Sequence, residues 1–488
     1  MRMWLGTVAV LMGCAADKSS AGGSDTGGQE IGDWGGSGGS GGESGGDSGD
    51  SGDSGDSGDS GDLPAEPWSI LAGELGTQAV EGVAVNGDGD VVFGGVFDNG
   101  LDLGGGPLPH VGGEDLFAAM AHGADGSAGW DLAAGAGDDD GVADVAMAPD
   151  GSVYVTGWFE GDIQLGAHTL SAKGDYDGFL ARLDGAGAVE WVLHLGGRGD
   201  DRMRAVAADA DGACVAGFTE DGVTGTGVPL SSGSLLDGML VCVDVAGNAE
   251  WGAAFGFAGG TAPALAVDVT AEGVVAGGYF TGEVDLGAGR VGSEGGRDGW
   301  VVRWTRSGEE QVGATLGAGG DQSVFAVVLG EAGSVWAVGS WAGGELAGAG
   351  TPTGPSDAFV VELSASLSRS TAVLAGGEGE DVALDAAFDE ERGLAVAGWS
   401  SDALALQAEH PNQGGADAWV GVFAGSAWTA SEAWGGPAED MARSVAWHPD
   451  GGVVAGGSSY GDIDLGTGIL SGSGDRDAFV TRRLAPFP

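Results

Sequence analysis

The chain has 488 residues, 42% of them hydrophobic, and is long enough to bury a large core. Its 105 glycines are unusual, and 73 Asp plus Glu against 17 Lys plus Arg set a formal net charge of −56. Such a charge repels phosphate backbones and anionic membrane surfaces, which argues against nucleic acid and leaves cations or basic partners as the electrostatically favoured ones.

Residues 1–13 carry Arg2 and an apolar stretch from Trp4 to Met12 that is too short to span a bilayer. With Leu11-Met12-Gly13-Cys14 it resembles a bacterial lipoprotein signal, although Met12 stands where a smaller residue is usual. The resemblance implies cleavage before Cys14, a diacylglyceryl thiol there, and a membrane contact made through that lipid. Ala15 after the cysteine points the same analogy toward the outer membrane of a bacterial cell envelope.

Residues 14–63 are Gly, Ser and Asp with almost no large apolar side chain, and the carboxylates recur every third residue from Asp47 to Asp62. This segment cannot offset its ordering entropy by burial and is expected to be a disordered, self-repelling leash. Its contour would be on the order of 150 Å.

A folded domain is expected over residues 64–488. Within it, Ala148–Gly197 reads as one complete sheet unit: apolar runs at Val142–Ala148, Val153–Gly157, Gly178–Leu183 and from Val189, separated by turns such as Asp150-Gly151 and Asp184-Gly185. An Asp opening the third run recurs at Asp115, Asp177, Asp237, Asp298, Asp357, Asp417 and Asp477, at spacings of 59 to 62 residues. A Gly in the second run recurs at Gly95, Gly157, Gly217, Gly278, Gly339, Gly398 and Gly457 with the same period. Two markers agree on seven units, and the reading is an all-β, seven-bladed β-propeller of four-stranded blades.

The leading Pro67-Trp68-Ser69-Ile70-Leu71 matches the Trp-bearing fourth run of a unit (Trp130, Trp191, Trp251), whereas the last unit lacks that run. The N-terminal strand is therefore expected to pair with the last blade and close the ring. Eleven residues before each marker Gly stand Ala84, Ala146, Val206, Val267, Val328, Ala387 and Ala446, small or β-branched as a crowded innermost strand needs. Two residues after each repeat Asp stand large side chains, Phe117 to Phe479, suited to packing between blades.

The run VYVTGWF, an excursion ending in Leu-Gly, then GDYDGFLARLD and VEW resembles the bacterial SBBP-type β-propeller repeat over roughly residues 68–484. Leu-Gly stands at Leu103-Gly104, Leu165-Gly166, Leu286-Gly287 and Leu465-Gly466, and units five and six lack the Trp at its usual place. The resemblance implies the fold and an extracytoplasmic setting, with no common activity.

A residue present in every unit reads as scaffold, so the repeat Asp is expected to accept turn amides. The tight turns belong to one face of the ring; the excursions of about 20 residues and the crossings between blades belong to the other, where loops on a rigid scaffold favour binding. On that crossing face Asp140, Asp201, Asp321, Asp381 and Asp440 suggest an acidic rim for cations or a basic partner. Asn86-Gly87-Asp88-Gly89-Asp90 and Asp209-Ala210-Asp211-Gly212 resemble the oxygen-rich loops of FG-GAP propellers, enough for one weak Ca2+ site and no systematic set. Otherwise no cofactor is expected. Six scattered histidines give no zinc spacing, and there is no nucleophile elbow or P-loop. Cys214 and Cys242 fall on neighbouring strands of one unit, but Cys242 aligns with Arg182, Arg303 and Arg482, which suggests exposure and places the two on different faces unless register brings them into a disulfide. The expected protein is a lipid-anchored, monomeric propeller that binds a protein or polysaccharide without catalysis. The alternative is a hydrolase or lyase acting on an envelope or extracellular polymer at the channel mouth.

Overall fold

The computed structural model describes residues 66–488, apart from 221, 225–229, 231–235, 257–259, 288, 310, 474 and 485–488. Cys14 and the leash lie outside the described residues. Short runs of Val, Ala and Phe between Asp-Gly and Gly-rich turns are too short for helices and rich in residues that fit a pleated surface. They form seven four-stranded antiparallel sheets. Blade 2 is typical, with Gly141–Met147, Val153–Phe159, Asp177–Leu183 and Val189–Leu195 in order from the axis outward.

The innermost strands, Gln78–Val85, Gly141–Met147, Asp201–Ala208, Ala264–Thr270, Asp321–Leu329, Asp381–Asp389 and Asp440–Trp447, each touch the next around the ring. The ring closes as expected: Trp68–Ala72 is the outermost strand of blade 7, with Trp68 opposite Arg482 and Ala72 opposite Ala478. Ser69 and Thr481 hydroxyls bond at 2.7 Å across that pair. The edge that a seven-blade ring would otherwise leave open is thus paired.

Large side chains two residues after the repeat Asp, such as Phe117, Phe179, Trp300 and Phe479, are fully buried between blades. A second interlock runs along the outer strands. Trp191 Nε1 donates to Val245 O at 3.1 Å, and Trp251 Nε1 to Arg306 O at 3.0 Å, each reaching the tight turn of the following blade. The indoles lie so close over Gly247 and Gly308 that a Cβ there would sit 2.9 and 2.5 Å from ring atoms, and both glycines have positive φ. Blade 4 also lacks this Trp, with Val312 in its register position beside Arg303, in addition to the two units expected to lack it. With no indole overhead, the corresponding turn of blade 5 carries Leu367 at φ 56 instead of Gly.

The excursions are anchored by leucines. Leu165, Leu286 and Leu465 are buried, and the glycine that follows each has positive φ. Leu346 and Leu404 are buried in excursions of blades 5 and 6 without the Leu-Gly spelling, so the anchor outlasts the motif.

Candidate functional site

The repeat carboxylates are part of the scaffold. Asp115, Asp177, Asp298, Asp357, Asp417 and Asp477 are buried, and each accepts the backbone N–H four residues earlier, for example Val111 to Asp115 at 2.6 Å and Lys173 to Asp177 at 2.8 Å. Each pins the end of an excursion to the start of a third strand.

The crossing acids behave alike. Asp140, Asp201, Asp381 and Asp440 are all 0% exposed. Their carboxylates accept N–H groups of the crossing itself, from Ala136, Gly197, Gly377 and Gly436 at 2.7–2.9 Å. They lie beneath the chain rather than lining an open rim. Burial raises all four, Asp140 to about 7 and Asp381 and Asp440 to about 6. Asp321 differs, because in blade 5 the equivalent carbonyl-side contact is made by Gln322, whose Oε1 accepts Ala318 N–H at 3.0 Å. Asp321 is 42% exposed, accepts Arg297 N–H at 2.9 Å and lies 3.7 Å from its guanidinium.

The oxygen-rich loops are also engaged. Asn86 Oδ1 accepts the amides of Asp88 and Asp90, and the Asp209 carboxylate holds the Arg306 guanidinium at 2.8 Å while accepting Asp211 and Gly212 amides. Among the described residues no group of three or more His, Cys, Asp or Glu is placed to hold a metal.

Cys214 and Cys242 stand directly opposite each other and form a disulfide, and both are fully buried. The arginines aligned with Cys242 misled the expectation of exposure. Arg182 and Arg482 run their stems along the sheet and reach Asp150 and Asp450, respectively, with their heads. The two positions share one face, since they pair across the same ladder.

Two histidine pairs were not visible in the sequence. His194 Nε2 lies 2.5 Å from Asp177 Oδ2, against Phe159, and His410 Nε2 lies 2.8 Å from Ser431 Oγ. Ser431 is 1% exposed, and Asp177 is a scaffold carboxylate, so neither pair offers a nucleophile or base to a substrate in this conformation.

What the sequence concealed most fully lies at the axis. Every innermost strand has a one-residue bulge at the same register, near its crossing-face end. The seven inserted residues, in ring order, are Glu81, Ala143, Arg204, Leu265, Phe325, Leu384 and Arg443. A bulge turns a strand and disrupts its ladder locally, which lets the amide two residues past the inserted one take an acceptor from outside the blade. At three seams a side chain of the preceding blade accepts such an amide: Asp144 from Val206 at 2.9 Å, Asp385 from Val445 at 2.8 Å, and Ser444 Oγ from Val83 at 3.0 Å. Deeper along the axis Asp268 accepts Leu329 N–H at 2.7 Å. Burial raises Asp144 to about 8 and also raises Asp268 and Asp385.

Around the bulges lies a concentration of cations that the −56 chain does not lead one to expect. Arg443 and Arg476 both approach Glu81, at 3.3 and 3.5 Å. Arg202 stacks 3.9 Å over Tyr176 and pairs with Asp200, Arg204 lies 5.8 Å from the Trp158 ring, and Arg297 lies 5.2 Å from that of Tyr279.

No family model and no curated protein matches this chain. Solved structures resemble it weakly. A protein of unknown function from Dyadobacter fermentans has 10% identity and a TM-score of 0.38, covering 86% of this chain and 100% of its own. A chimera of apocarotenoid oxygenase and RPE65 has 13% identity and a TM-score of 0.39, covering 87% and 95%. A Synechocystis apocarotenoid oxygenase mutant has 11% identity and a TM-score of 0.33, covering 87% and 94%. At these values the likenesses carry no argument about activity, and the chain is described by its own architecture: a seven-bladed β-propeller closed by its N-terminal strand.

Proposed function

We propose that this protein is a cell-envelope lipoprotein of the SBBP-repeat type, tethered through Cys14 by its acidic leash, whose propeller works as a noncatalytic binding module on the crossing face. The observation that carries the binding reading is a division of labour on that face. The acids that recur from blade to blade are buried against backbone amides, whereas the residues that differ between blades gather at the axis. The tether is supported by the signal-like segment before Cys14 and the uninterrupted acidic repeat after it.

Two experiments test this. Labelling cells with a palmitate analogue should mark the chain and place it in the membrane fraction, and Cys14→Ser should abolish both; unchanged labelling or fractionation of the variant overturns the tether. A thermal-shift screen against calcium, other cations and envelope polysaccharides tests binding, since a ligand that prefers the native state raises its melting temperature. A polysaccharide that stabilises the protein and is then cleaved by it would replace the binding reading with the hydrolase or lyase one.

A further inference from the structure

Three kinds of fastening hold the seams between blades, and one seam has none of them. The first is a wedge. The residue two past each bulge packs against the preceding blade, and in six blades it is a valine, Val83, Val145, Val206, Val267, Val327 or Val445, only 3–8% exposed. Blade 6 has Ala386 there, partly exposed. The space of the two missing methyl groups is not refilled. Residues 384–389 are all partly exposed, whereas no other innermost strand has more than two such residues in a row.

The second fastening is the acceptor that reaches across a seam to an amide of the next blade. In blade 5 Ala326 stands where Asp144, Asp385 and Ser444 stand in blades 2, 6 and 7, so the Ala386 N–H turns instead to Asp385 of its own strand, at 2.8 Å. The third is the outer indole, and in blade 5 Thr371, opposite Glu362, holds the place of Trp191, opposite Arg182. Every other seam keeps its valine and at least one of the other two fastenings. Trp130 lies over Gly187 between blades 1 and 2, Trp251 bonds between 3 and 4, and Asp268 between 4 and 5. Among the described residues no side-chain hydrogen bond or ion pair joins the strands of blade 5 to those of blade 6. What holds them is apolar contact, Trp336 and Val360 against Leu394, Val396 and Phe423, and one backbone bond at the crossing, from Asp381 N–H to Ser356 O at 2.9 Å. Apolar contact is non-directional and does not fix two sheets at one spacing.

We infer that the ring has a built-in opening between blades 5 and 6, where the two sheets part locally and uncover Trp336, Ala358 and Leu394 while the other six seams stay shut. Local openings of this kind follow where fastenings are few, and they occur far more often than global unfolding. The opening does not lie where the two ends of the chain meet. There Trp68 Nε1 donates to Gly123 O at 2.9 Å, Ser444 Oγ accepts Val83 N–H, and Arg443 pairs with Glu81 at 3.3 Å. The inference goes beyond the binding reading and needs neither the tether nor a ligand.

The test places one thiol in three seams of the full chain carrying Cys14→Ser. Ala358, Ala418 and Ala478 each follow the repeat Asp by one residue, are 1%, 0% and 2% exposed, and line the seams between blades 5 and 6, 6 and 7, and 7 and 1. Ala358→Cys, Ala418→Cys and Ala478→Cys therefore make the same small change in the same setting, and each is labelled with Ellman's reagent in native buffer. Ala358→Cys should react at least about tenfold faster than the other two, a difference of about 1.4 kcal/mol in opening. Its rate should also change little in low urea, whereas the rates of the others should climb steeply, because a local opening exposes little surface. Adding Ala386→Val to Ala358→Cys restores the wedge and should slow labelling at least about fivefold, a gain in protection that structural damage cannot imitate. Equal rates at the three seams, fastest labelling at Ala478→Cys, or a rate that Ala386→Val leaves unchanged or raises overturns the proposal.

Discussion

Two rings of side chains lie on the crossing face, and they use similar residues in opposite ways. In the ring of crossing residues, blades 2, 3, 6 and 7 place Asp140, Asp201, Asp381 and Asp440 at one position, all buried and bonded to backbone. In the bulge ring a few residues away, the seven positions hold Glu, Ala, Arg, Leu, Phe, Leu and Arg. The first ring repeats in these four blades because their crossings present the same amide and need the same acceptor, a role that Gln322 takes in blade 5. The second varies because a bulged residue has no ladder partner to satisfy, so the scaffold does not dictate its chemistry. Repetition marks what the fold requires, and departure from it marks where a ligand can select.

The comparison can be broken from the scaffold side first. Deleting residues 67–72 removes the strand that pairs with Arg476–Arg483 and reopens the ring, and is expected to abolish the single cooperative melting transition. An unchanged melt would mean that the ring does not depend on closure. Next in size is Asp381→Ala, which strips the acceptor from Gly377 N–H and from the Ser400 hydroxyl. The loss should be about 1–3 kcal/mol by urea denaturation. Asp381→Gln should cost under about 1 kcal/mol, because Gln322 already does the same work in blade 5 with its Oε1 on Ala318 N–H and its Nε2 on Ala342 O. Equal losses for the two variants would show that the carboxylate charge, rather than the acceptor, is what the crossing needs.

This contrast explains what could be read from the chain. The period, the seven blades and the closing strand were legible, since each rests on a marker repeated at fixed spacing or on a missing copy of one. The bulges were not, because every inner strand carries its extra residue at the same place and the spacing stays uniform. Asp268 was hidden by a related effect. The turn after the inner strand is one residue shorter in blades 3 and 4, so counting back from the marker Gly lands on Val206 and Val267, whereas Ala207 and Asp268 stand opposite Cys214 and Val275. The acidic rim was misread for a different reason. A run such as Asp138-Asp139-Asp140 looks like a solvated turn, but only its last carboxylate folds back beneath the chain.

A smaller and more graded effect is expected from pH. Burial raises Asp140, Asp144, Asp381 and Asp440 in the native state to about 7, 8, 6 and 6, whereas in the unfolded chain such groups ionise near 4. Between those values the native protein retains protons that the unfolded chain has released, so rising pH favours unfolding. Melting temperature should therefore fall steadily from pH 5 to pH 8 and level off above. Asp381→Gln should flatten the part of that slope below pH 7. A profile rising over this range would mean that the buried carboxylates are ionised in the native state and stabilised by their amides.

The finest test places one substitution in two adjacent residues of the same strand. Ala264 is fully buried and pairs in the ladder with Gly278, whereas Leu265 is the bulged residue, skipped by the register and partly exposed. Ala264→Gln forces a long polar side chain into the space between blades and should cost about 3 kcal/mol or more, through overpacking and an unpaired amide. Leu265→Gln meets the mouth instead and should change stability by less than about 1 kcal/mol, a small value for removing a leucine from an inner strand. If the second variant were as damaging as the first, the bulge would be part of the scaffold, and its variation among blades would have to reflect packing at each seam. A near-silent Leu265→Gln beside a disabling Ala264→Gln would show that the fold ignores a residue one step from its most crowded strand position, which leaves that residue available for recognition.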